Sequence, residues 1–155
     1  MIRLFLIGAY PAGFAAKSID DMTVLVSRVP PAGGDEGVII GVVEHERTKD
    51  VSEFARIVSR VFEKNIVDHG GTITTGAPQR GPCLGQNDGL VMTSDFTTVI
   101  GGRHVMRSCC AILHGRGYFI RAFATESSAS QEMPLLDRII AATELREKPL
   151  GEPAP

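Results

Sequence analysis

Residues 89–125 constrain the fold most. "GLVMTSDFTTVI" (89–100), "RHVMRSCCAIL" (103–113) and "YFIRAFAT" (118–125) are three strand-length runs, separated by Gly101-Gly102 and by "HGRG" (114–117). A Gly-Gly pair is a favoured two-residue hairpin connection. Connections this short join antiparallel neighbours, because a parallel crossover needs a dozen or more residues. The chain is therefore committed to a meander of long strands, and such a layer must bury an apolar face under something else.

Two amphipathic helices offer that cover. In the first, Asp50 and Glu53 form an acidic variant of the capping box. Phe54, Ile57, Val58, Val61 and Phe62 then recur at helical spacing, with Arg56, Ser59, Arg60, Glu63 and Lys64 on the other side, until "DHGG" (68–71) stops the pattern. In the second, Ser127 to Ser130 supply caps, Pro134 falls in the first turn, and Leu135, Leu136, Ile139 and Ile140 make the buried stripe. Three earlier runs, 2–9, 22–29 and 37–46, read as strands, the last apolar enough to be covered on both faces. The order β-β-β-α-β-β-β-α predicts an α+β domain, an antiparallel sheet of about six strands covered by two helices. Residues 72–88 read as a loose loop. Residues 1–145 form one domain, and the polar, Pro-rich 146–155 form a disordered tail.

The opening "MIRLFLIGAYPAGFAA" admits two readings. It has Arg3, an apolar centre and Ala15-Ala16, a crude version of a signal peptide. Yet Pro11 interrupts the apolar run, and Phe14 is large for the position three before a cut. A first strand over 2–9, a turn at Pro11 to Gly13, and Phe14 plugging a hairpin with 22–29 explain more.

The 155 residues suit one domain, and a net charge of −2 with mixed signs lacks the basic stripe of a nucleic-acid binder. No apolar run approaches the roughly 20 residues that span a bilayer. Cys83, Cys109 and Cys110 are odd in number, and adjacent strand residues point to opposite faces, so they do not read as a disulfide framework and fit a reducing, cytoplasmic setting. Cys83 in "RGPCLGQND" reads as a partly buried thiol rather than a nucleophile, since nothing places His104 or His114 beside it. His45, His69, His104 and His114 match no zinc spacing and read as surface residues. "GGTITTG" (70–76) and "GPCLG" (81–85) lack the lysine and hydroxyl of a P-loop and the dinucleotide spacing. No catalytic residue, metal or cofactor site is assigned. Arg107 and Arg121 lie on strands joined by the 114–117 turn, so that they approach each other across the hairpin and hold an anion, or stand solvated on an open face. Apolar area left over on the meander would mark a partner site or a homodimer seam.

"YPAGF…SIDDMTVLVSRVP…GVIIGVVEHE" and "RSCCAILHGRGYFIRAFATESSASQEMPLLDRIIAATEL" resemble the opening and closing segments of the DcrB-like and PsbP-like proteins, over residues 2 to 145. Phe14 stands where that family usually has Trp. The resemblance implies an α/β/α sandwich and non-enzymatic roles: a photosystem II lumenal subunit, a Ran-binding factor, cell-envelope lipoproteins, and cytosolic Eag-type chaperones of type VI secretion effectors. The expectation is a non-enzymatic protein-binding domain, a homodimeric adaptor or chaperone for a protein partner, in the cytoplasm. The alternative is an exported accessory subunit in the periplasm or a lumen.

Overall fold

The meander forms the centre of a larger sheet. The computed structural model describes residues 3–7, 10, 12–20, 23–28, 37–43, 50–100 and 102–148. Within them β7 (Gln86–Thr97), β8 (Arg103–Leu113) and β9 (Arg116–Thr125) pair in sequence order. Beyond β9 the sheet continues through β4 (Gly37–Val43) and β3 (Thr23–Arg28) to β2 (Phe14–Asp20). The outer edge of β7 is shared, with β5 (Thr72–Thr75) along residues 94–97 and β6 (Gln79–Cys83) along 86–91. All these pairings are antiparallel.

Turn chemistry sets the registers. Leu84-Gly85 joins β6 to β7 and His114-Gly115 joins β8 to β9, with φ values of 54° and 81°, and of 49° and 76°. Positive φ at both residues is the type I′ geometry, whose twist matches that of the flanking strands. Leu84 offsets the cost of its left-handed backbone, about 1–2 kcal/mol, by burying its side chain completely. The connection from β7 to β8 is longer than a Gly101-Gly102 turn. β7 ends at Thr97, and the Thr98 amide donates to the Gly102 carbonyl at 3.4 Å across the loop.

One helix covers each face. On α1 (Val51–Asp68), Asp50 accepts from the Ser52 amide at 2.8 Å, and the Gly71 amide closes the far end on the Ile66 carbonyl at 2.9 Å. Its buried residues are Phe54, Ala55, Val58 and Ile66, with Phe62 partly buried, against Leu90, Met92, Phe96, Met106 and Cys110. Val61, predicted in the stripe, is 66% exposed, because the contact surface runs through 54, 58, 62 and 66 instead. On the other face α2 (Ala129–Ala142) buries Met133, Leu136 and Ile139 against Val26, Ile120, Ala122 and Ala124. Pro134 falls in the second turn of α2 rather than the first, on its exposed side.

Several expectations need correction. The strand at the start, β1 (Arg3–Ile7), does not pair with 22–29. Its partner is β10 (Glu144–Lys148), in a separate two-stranded sheet running from Arg3↔Lys148 to Ile7↔Glu144. β2 takes the place beside β3, so Phe14 begins a strand and packs on the α2-side core rather than plugging a turn. β10 also claims residues 146–148 of the expected tail, held by main-chain pairing that a polar sequence conceals; residues 149–155 lie outside the described residues. The loose stretch 72–88 contains β5 and β6, whose edge position tolerates Pro82.

The cysteines give the largest correction. Cys109 and Cys110 do face opposite ways, but Cys109 is bonded to Cys83, with their Cα atoms 5.8 Å apart. β6 and β8 both flank β7, and two strand spacings in a flat sheet would separate them by about 9–10 Å. The short Cα separation means that β6 curls over β7. Gly89 lies beneath, where an added Cβ would meet Cys83 Cβ at 2.6 Å and the Gly81 and Cys110 carbonyl oxygens at 2.9 Å. Gly89→Ala is expected to lower stability by about 1–3 kcal/mol, the usual cost of overpacking, read as a lower denaturant midpoint at unchanged slope.

Candidate functional site

The α1-side face is assembled from alternate residues of the meander. Ser108 lies opposite both Arg121 and Met92, so these three share a face with Met106, Phe96 and Phe123. Arg107 lies opposite Ala122 and therefore faces α2. The two arginines do not approach each other as expected, because the His114-Gly115 turn offsets them by one residue. Arg107 forms a half-exposed ion pair with Asp137 of α2. Arg121 is held very differently.

Its guanidinium lies 4.6 Å from the centroid of the Phe62 ring and 4.5 Å from that of Phe119. One Nη donates to the Val58 carbonyl of α1 at 3.1 Å. No carboxylate among the described residues pairs with it. Burial pushes Arg121 down to about 10, so it keeps its charge at neutral pH without a carboxylate partner among the described residues.

A cavity of about 350 Å³ opens beside this cation. Phe62 and Ile66 of α1 form its roof, and Phe96, Met106 and Phe123 its floor. His104, 3% exposed, lines it while stacking on Phe96 at 4.9 Å; it is a core residue rather than the surface histidine expected. His69 and His114 are exposed as expected, and His45 lies outside the described residues. Thr98 lines the cavity too, leading to Val99 and Ile100, which are 70% and 100% exposed. A second, water-sized space of about 10 Å³ touches Arg121 and the hydroxyl-bearing Ser59, Thr75, Ser94 and Ser108. Apolar walls with few convergent polar groups are the usual makeup of a small-molecule site.

The cysteines do not offer a ready thiolate. Cys83 is bonded to Cys109, and burial pushes the Cys110 thiol up to about 12. Among the described residues no group of three His, Cys, Asp or Glu side chains is placed to hold a metal ion. Nor is any described helix long and apolar enough to cross a membrane.

No protein-family model and no curated protein matches the chain. Solved structures do. Cyanobacterial PsbP (CyanoP) from Synechocystis sp. PCC 6803 superposes with a TM-score of 0.62 at 13% identity, covering 94% of each chain. LpqN, involved in cell envelope biogenesis of Mycobacterium tuberculosis, gives 0.59 at 10% identity, covering 92% of this chain and 83% of LpqN. The chain has the PsbP-like α+β sandwich fold.

Proposed function

We propose that this domain is a non-catalytic accessory protein working in an oxidising compartment, at a cell envelope or in a lumen. The Cys83–Cys109 bond carries the reading, because such bonds persist where the surroundings are oxidising and are rare in a reducing cytosol. LpqN, of the same fold, is involved in cell envelope biogenesis. The cytosolic adaptor or effector-chaperone reading would require both cysteines reduced. A protein partner is compatible with the exported role. The exposed Val61 and Val67 of α1 and Val99 and Ile100 of the 98–102 loop provide apolar contact area for one.

Alkylation of protein isolated from its native host tests this directly. Native protein is expected to take up no label, since Cys110 is buried and its thiol is held neutral. Unfolded without reductant it takes one label, and after reduction three. Three labels without reductant would overturn the reading.

A further inference from the structure

We propose that the cavity between α1 and the sheet binds a small amphiphilic monocarboxylate, with its carboxylate on Arg121 and its hydrocarbon body between α1 and the floor of the sheet. The inference does not depend on the compartment. Charge comes first. Arg121 is the one Asp, Glu, Lys or Arg side chain among the described residues that line the cavity. Two other arginines each have an acid, Arg107 with Asp137 and Arg103 with Glu126. Arg121 has one carbonyl and two ring faces. A guanidinium carries five N–H donors, so it retains donors for an incoming anion.

The walls restrict the rest of the ligand. Phe62, Ile66, Phe96, Met106 and Phe123 offer apolar surface and no second cation. A phosphate dianion would bring two negative charges against the single guanidinium of the lining, at high desolvation cost. A carboxylate brings one charge and matches the guanidinium fork with two parallel hydrogen bonds. The cavity's volume falls within the range of small-ligand pockets. Thr98 of the lining is followed in sequence by the exposed Val99 and Ile100.

Decanoate and its uncharged counterpart 1-decanol are the probes, titrated by calorimetry into the oxidised protein. Decanoate is expected to bind about tenfold or more tightly than 1-decanol, the range of a charge-assisted hydrogen bond. Arg121→Met keeps the apolar stem and should remove that preference while leaving 1-decanol binding within about threefold. In the wild-type protein, nuclear Overhauser contacts should run from the decanoate chain to the Met106 methyl group and the Phe96 ring. Equal binding of the two probes, no binding of decanoate at millimolar concentration, or contacts that miss Met106 and Phe96 would each overturn the proposal. So would an Arg121→Met variant that is folded by circular dichroism and binds decanoate as wild type does. Should that variant not fold, the wild-type comparison and the contacts decide alone.

Discussion

Phe54→Ala is expected to lower the stability of the domain by about 3–5 kcal/mol, among the largest effects of any single truncation in it. Phe54 is fully buried, at the junction of the first turn of α1 with β7 and β8. Its ring also lies directly over Gly117, where an added Cβ would come within 2.5–2.6 Å of three ring atoms. The ring and the missing side chain are complementary halves of one contact. Gly117→Ala alone should therefore cost about 1–3 kcal/mol by overpacking. In the double variant the alanine methyl enters space vacated by the ring, and the two costs should fall short of their sum by about 1 kcal/mol or more. Urea unfolding of the four proteins checks this. Strict additivity would show that ring and backbone do not share the space as described.

The second large effect concerns the Cys83–Cys109 bond. Its removal in a Cys83→Ser/Cys109→Ser double variant frees a loop of 26 residues in the unfolded chain. Loop-closure entropy for that length is about 3.5 kcal/mol, which lowers the melting temperature by roughly 7–14 °C in a domain of this size. Wild type with and without reductant should differ by a similar amount. Both serines stay in a packed setting, where Cys83 and Cys109 are buried, so the loss should not fall below the entropic figure. A variant as stable as the oxidised protein would mean that β6 holds its curl over β7 without the bond. The bond fixes β6, whereas Arg121 and its cavity belong to the opposite face, so decanoate binding should survive wherever the double variant remains folded.

The meander, both helices and the sandwich were legible because each rests on a local pattern: strand-length runs in β7, β8 and β9, helical spacing in α1 and α2, and short glycine-bearing turns. The disulfide was not legible. Strand parity alone puts Cys109 and Cys110 on opposite faces, but only the curl of β6, a tertiary event, carries Cys83 across to Cys109. Of the candidate site, sequence named Arg121 only together with Arg107, as two strand arginines on either side of one turn, and the register separates them. Reading His114-Gly115 as a two-residue turn sets Leu113 opposite Arg116, and counting back then sets Arg107 opposite Ala122. That count separates the two arginines without any coordinates. The β1–β10 pairing had no comparable signal, since the partners lie at opposite ends of the sequence and β10 is mostly charged.

That pairing bears on how the molecule answers to force. Arg3 and Lys148 face each other at one end of the β1–β10 ribbon. Tension applied through these two residues opens the ribbon as a zipper, loading its cross-strand hydrogen bonds in succession rather than all together. The large sheet is shielded from the pull until those rungs have parted, which makes the ribbon a mechanical fuse ahead of the sandwich.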